Sequence, residues 1–163
     1  MMETQRSIVF AHAVQGIIWR AEHGWTMAAG ASISFGLAIP DIEIISLNRE
    51  YYTNSTGIAV SLYEANFSGG TPVHTINRRL KYRENTPPMQ IFHGVTHGAL
   101  TDFISGFDLE TPNGIRVGKR GDLEPVIHDA LKSYVLLITN TGTTEQPFGL
   151  TVDYRLMQPE EEG

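Results

Sequence analysis

The sequence predicts an all-β protein: an antiparallel β-sandwich, jelly-roll-like, with an N-terminal arm or extra strand. Three observations carry that expectation. Short stretches of alternating apolar and polar residues recur along the chain, as half-buried strands require. Clusters of Gly, Pro, Asn and Ser divide these stretches at intervals of about eight to twelve residues, the spacing of sandwich and barrel turns. No segment sustains a helical apolar stripe for three turns. The 163 residues suit a single domain with a core of its own.

Residues 7–21, SIVFAHAVQGIIWRA, are apolar and rich in β-branched side chains, and Gly16 interrupts any helix there. Residues 1–23 are therefore set apart as an arm or strand. Ile8, Phe10, Ile17, Ile18 and Trp19 are the side chains with which an arm would meet a neighbour. The sandwich itself is expected over 24–158, followed by an acidic tail at 159–163.

Within the sandwich, 31–39 places Ile33, Phe35, Leu37 and Ile39 on one parity, and Pro40-Asp41 signals a turn. Residues 42–52 read as a strand that grows polar, ended by Asn54-Ser55-Thr56-Gly57. Ile58, Val60, Leu62 and Glu64 alternate along 58–64. Ser68-Gly69-Gly70-Thr71-Pro72 is a second turn. Residues 73–84 hold Arg78, Arg79, Lys81 and Arg83, four of the chain's 12 Lys and Arg. After Asn85-Thr86-Pro87-Pro88, residues 89–93 form a short strand. A long connection is expected from Gly94 to about Leu123, anchored by Phe103, Ile104 and Phe107. HDALK at 128–132 allows one helical turn. SYVLLIT at 133–139 suits a strand buried on both faces, and 148–157 alternates as the last strand.

The same residues limit the chemistry. With no cysteine, thiolate catalysis, disulfides and Cys-based zinc sites are excluded. His93 and His97 have H-x-x-x-H spacing, but no Glu follows His93 and the segment is not helical. The cupin-type H-x-H pair is absent, although His74, His93, His97 and His128 could still converge in space. There is no G-x-S-x-G, P-loop or dinucleotide fingerprint. The reading is thus of a non-enzyme with no catalytic residue, metal or cofactor. Net charge is −6, which disfavours nucleic acid. No apolar run approaches a membrane span, and the first residues lack a basic secretory n-region.

The basic run has three readings: a solvated strand end, a nucleic-acid grip or a docking patch. Only Tyr82 is interleaved with it, so aromatic platforms for bases are lacking. Arginine's bidentate chemistry favours protein docking by Arg78, Arg79, Lys81 and Arg83.

The order of LYE at 62–64, SGGTPV at 68–73, INRR at 76–79 and MQIFHGVT at 89–96 resembles a family of tailed-phage capsid decoration proteins, also called cement or stapling proteins. REYYTNSTG at 49–57, SYVLLITNTG at 133–142 and LTVDYRL at 150–156 extend the likeness over roughly 24–157. Tyr154-Arg155 departs from the family's closing Tyr-Glu pair, and 1–23 is not matched well. The resemblance implies a jelly-roll-like sandwich on the outer capsid surface, assembled in the host cytoplasm. It implies a homo-oligomer, dimer or trimer, that links major capsid protein subunits without a cofactor. The alternative is a carbohydrate- or receptor-binding sandwich on a virion tail or fibre, with Phe103, Phe107, Tyr51 and Tyr52 stacking on sugar rings.

Overall fold

The computed structural model describes residues 17–54, 57–79, 81, 85–110, 116–118 and 126–157. They form strands β1 (Trp19–Met27), β2 (Ser32–Ala38), β3 (Ile44–Thr53), β4 (Gly57–Glu64), β5 (Phe67–Ser68), β6 (Thr71–Pro72) and β7 (His74–Asn77). Then follow β8 (Gln90–His93), β9 (Thr96–His97), β10 (Asp102–Glu110), β11 (Arg116–Gly118), β12 (Val126–His128), β13 (Ser133–Asn140) and β14 (Gln146–Leu156).

Two six-stranded sheets pack face to face. The first has the order β11-β3-β14-β1-β7, with β12 also on β3; the second runs β10-β4-β13-β2-β8-β6. All ladders are antiparallel. The first strand pairs with the last, the second with the one before it, and β3 and β4 join those same two strands on the far side. This interleaving of two Greek keys is the jelly roll. The all-β sandwich expected from the alternation is therefore the fold.

Segment 65–101 is an insertion between β4 and β10. It adds β7 to the edge of the first sheet and β8 to the edge of the second, covering edges that would otherwise offer unpaired backbone. The small β5–β9 ladder lies over the outer face of the second sheet. There Phe67 sits on Gly36, where an added Cβ would fall 2.6 Å from the ring. Phe67 packs near Phe92, whose backbone partner is Gly36.

The parities read from the sequence point into the core. Phe35, Leu37, Ile58, Val60, Leu62, Phe148, Leu150, Val152 and Tyr154 are all buried. Each such aliphatic or phenyl side chain contributes roughly 1.5–3 kcal/mol of transfer free energy. Tyr154 reaches across the core and donates its hydroxyl to Met89 O at 3.0 Å. In β13, Tyr134, Val135, Leu136 and Ile138 are buried, whereas Leu137 and Thr139 are half-buried. Coverage of its outer face is thus partial.

Three local expectations change. Residues 94–123 are not simply a connection, because β9, β10 and β11 lie within them. β10 was hidden by a β-bulge between Phe103 and Ser105, which breaks the alternation, and by Gly106. A Cβ at Gly106 would lie 2.5 Å from Val60 O, so the close strand approach requires glycine. HDALK does not form a helical turn: His128 ends β12, and Leu131 takes φ +61°. Finally, residues 19–23 are the first half of β1, a strand paired on both sides, so the sandwich begins before position 24. Residues 1–16 lie outside the described residues.

Candidate functional site

The short links between sheets define two ends. Residues 39–43 connect β2 to β3, and residues 129–132 connect β12 to β13, at one end. β1 starts there, as do β8 and β10, and β14 finishes there. The two links are joined by backbone hydrogen bonds: Leu131 N donates to Pro40 O at 2.8 Å, and Ile39 N to Lys132 O at 3.1 Å. Pinning Leu131 in this way holds it in the left-handed region, a costly place for a bulky residue without glycine's freedom. Its side chain is also 77 % exposed.

Leu131 is not isolated. Ile42 in the first link and Ile127 on edge strand β12 are exposed at the same end. Phe103 and Ile104, at the start of edge strand β10, are exposed there too. The bulge leaves Ile104 outside the ladder, and Phe103 meets Tyr63, ring edge to ring face at 5.7 Å, and lies beside Gly106. Between these apolar groups, Lys132 Nζ pairs with Glu64 at 2.9 Å. That carboxylate holds the ammonium pKa above its ordinary value. Among the described residues, this end carries every exposed large apolar side chain except Tyr52.

Beneath the surface, His128 turns inward from β12. Its Nε2 lies 2.8 Å from Ser46 Oγ, and its ring meets Tyr134 edge-on at 4.9 Å. Burial, assisted by the nearby Arg49 charge, lowers its pKa to about 4, so the ring is neutral at pH 7. A neutral imidazole suits its role as a core support for the β12–β13 turn.

The two groups singled out in the sequence come together here. Trp19 pairs with Asn77, and Arg78 N donates to Ile18 O at 2.9 Å. The segment leading from the arm therefore lies beside the basic run. Ile18 and Trp19 are nonetheless buried in the sandwich and Ile17 is half-buried. Ile8 and Phe10 lie outside the described residues. Arg78 brings Nη1 to 3.9 Å from Asp153, a buried carboxylate already held by Arg20 through Nε at 2.8 Å and Nη2 at 3.0 Å. The Asp153 hydrogen bonds raise the Arg20 pKa above its ordinary value. Arg78 is thus committed within the chain, Arg79 uses its backbone N–H to cap Asn77 Oδ1 at 2.9 Å, and Lys81 is exposed. Arg83 lies outside the described residues.

The four histidines considered for a metal occupy separate places. His128 is in the core, His97 Nε2 meets Ser34 Oγ at 3.0 Å, His93 stacks on His23 at 3.9 Å, and His74 faces out from β7. Among the described residues, no three His, Asp or Glu side chains are grouped to hold a metal. Of the aromatics considered for sugar stacking, Tyr51 is buried, with its pKa pushed up to about 12 by desolvation. Tyr52 and Phe103 are exposed, and the side chain of Phe107 lies outside the described set. Sequence reasoning missed Ile42, Ile127 and Leu131, because isolated apolar residues beside turns carry no periodic signal.

No protein-family model and no curated protein matches this chain. Among solved structures, it is similar to a mitogen from Yersinia pseudotuberculosis, with 10% identity, 88% of this chain and 91% of that one covered, and TM-score 0.31. It is similar to PliG of Salmonella Typhimurium, a periplasmic inhibitor of g-type lysozyme, with 8% identity, 85% and 91% coverage, and TM-score 0.36. The BFDV capsid protein is another, with 8% identity, 86% and 98% coverage, and TM-score 0.24. Likenesses this distant carry no argument about function.

Proposed function

We propose that this chain is a structural virion protein that docks on the outside of a tailed-phage capsid and links major capsid subunits. The observation that carries the reading is the concentration of exposed apolar side chains, with the strained Leu131, at one end of the sandwich. Exposed groups of this kind mark interaction surfaces when they are grouped rather than scattered. The family resemblance of residues 24–157 supplies the identity of the partner.

In this role the chain acts as a homo-oligomer, dimer or trimer, on the outer surface of the particle. Each contact can be modest, because a symmetric shell multiplies it through avidity. The apolar N-terminal segment, whose Ile18 is bonded to the start of the basic run, supplies further contacts to a neighbour. The basic run that follows β7 supplies the charged part of the docking surface.

The test is co-sedimentation with preformed shells that lack the protein. Leu131→Asp with Ile127→Asp should weaken binding at least tenfold while leaving the fold intact by circular dichroism. Removing residues 1–16 should do the same without touching β1. Binding by both variants at wild-type strength would overturn the proposal. Counting copies in purified particles separates shell from tail: a shell component approaches the major capsid protein in number, and a tail component does not.

A further inference from the structure

Away from that end, the outer face of the first sheet contains a bare floor. Gly24 on β1 and Gly149 on β14 are direct cross-strand partners, and Tyr52 on β3 is the next partner of Gly149. One row along, Glu50, Thr151, Glu22 and His74 stand side by side across β3, β14, β1 and β7. On the opposite side, Thr26 pairs with Pro147. The result is a shallow depression of about 430 Å³ lined by Glu22, Gly24, Tyr52, His74, Gly149 and Thr151. A second one, of about 300 Å³, lies on the other side of Tyr52, beside Asn54 and Pro147.

Nothing in the fold demands glycine at these two positions. Neither has a positive φ. A Cβ at Gly24 would come no closer than 3.8 Å to Phe148 O, and one at Gly149 no closer than 3.6 Å to Tyr52 Cβ. Glycine in a strand interior costs about 0.5–1 kcal/mol relative to alanine, so the pair weakens the two central strands. What it gives in return is close access to the sheet. The second sheet shows what such a floor receives, since there Phe67 lays its ring on Gly36.

In the first sheet no ring lies within 4 Å of a Cβ placed at Gly24, and the ring of Tyr52 flanks Gly149, its Cδ2 3.7 Å from such a Cβ. The rim differs as well. Phe67 sits near Phe92, whereas the open floor is bordered by groups that need hydrogen bonds. His74 and Thr151 make no side-chain hydrogen bond among the described residues, and Glu22 has only a 4.0 Å approach to Arg20. An apolar ring would leave these groups unsatisfied. A ring with an apolar face and a polar circumference would satisfy them. Tyr52 is ready to stack on it: its ring is exposed and its hydroxyl is fixed by donating to Glu50.

We infer that this floor is a saccharide-binding site, taking a neutral pyranose against Gly24, Gly149 and Tyr52, with Glu22, His74 and Thr151 bonding its hydroxyls. The site does not depend on capsid docking, because it lies on a sheet face and not at the apolar end. Amide-resolved NMR titration of the full chain tests it. The probes are the methyl glycosides of glucose, galactose, mannose and N-acetylglucosamine, together with lactose and maltotriose. At least one should give saturable shifts at residues 22–24 and 149–151. Gly24→Thr should weaken that binding at least tenfold, with a Tm equal to or above wild type, and Tyr52→Ala should weaken it as well. Leu131→Asp with Ile127→Asp should bind sugar normally, which separates this site from the docking end. The inference fails if no probe gives shifts there, or if Gly24→Thr binds like wild type. It fails equally if N-acetyl-tryptophanamide saturates the floor and the sugars do not, which would make the floor a contact for a protein aromatic.

Discussion

At the end where β13 passes to β14, Asn140 is wholly buried and its amide is fully used. Its Nδ2 donates to Met27 O, Ala28 O and Thr144 O at 3.0–3.3 Å, and its Oδ1 accepts from Gly142 N at 2.9 Å. Its backbone also exchanges hydrogen bonds with Gly30 and Ala31. At the other end, Leu131 is strained and exposed, and Ile42, Ile127, Phe103 and Ile104 share the surface with it. One end meets water with satisfied polar groups, and the other presents apolar groups to it. The difference separates a closure that serves folding from a surface left for a partner.

The comparison can be broken at its sealed end first. Asn140→Ala removes the side-chain partner of Met27 O, Thr144 O and Gly142 N, while Ala28 O keeps Ala31 N, and should cost about 3 kcal/mol in urea denaturation. The folded fraction should still bind shells. A loss below about 1 kcal/mol would mean that the Asn140 knot does not hold that end.

Acid tests the support beneath the open end. His128 titrates near 4 in the folded chain and at the ordinary 6.5 when unfolded. Below pH 6.5 the unfolded chain therefore takes up a proton that the folded chain refuses. Stability should fall as pH drops from 6.5 to about 4, by about 3 kcal/mol, and this contribution should then level off. His23, whose pKa is lowered by burial and by the adjacent His93, should add a smaller loss of the same sign. His128→Gln should flatten the profile; an unchanged slope would place the acid sensitivity elsewhere.

Charge near that end comes next. Asp153→Asn removes the carboxylate shared by Arg20 and Arg78, whose side chains are each 34 % exposed. Solvent screening limits the loss to about 1–2 kcal/mol. Reversing Arg79 and Lys81 should weaken shell binding. Salt should then affect that binding less than it affects wild type.

The smallest change is opposite in sign. Leu131→Gly relieves the left-handed strain and should stabilise the chain by about 1 kcal/mol, measured by the denaturation midpoint. The same variant should bind shells more weakly. A substitution that improves folding and impairs docking sharpens the contrast between the two ends. Tighter shell binding by this variant would contradict it.

Much of the core was readable because alternation has a direct physical cause. Side chains two apart on a strand share a face, so Ile58, Val60 and Leu62 identify themselves, as do Phe148, Leu150, Val152 and Tyr154. β10 was unreadable because its bulge at Ile104 and close approach at Gly106 disrupt that period. β1 was obscured for another reason: its alternation passes through Glu22, His23 and Gly24, where no apolar residue marks the inward face. The ion pair of Arg78 with Asp153 has no local signal, because it depends on β1 lying between β7 and β14.

By itself the sequence determined the class of fold, the apolar faces of its clearest strands and the absence of cysteine chemistry, because these follow from side-chain type and local period. The tertiary structure alone decided which residues share a surface. The jelly roll brings Ile42, Phe103, Ile104, Ile127 and Leu131 to one end, and sets Gly24 opposite Gly149 beside Tyr52. Such neighbours are far apart in the chain, and strand pairing, which is non-local, is what joins them.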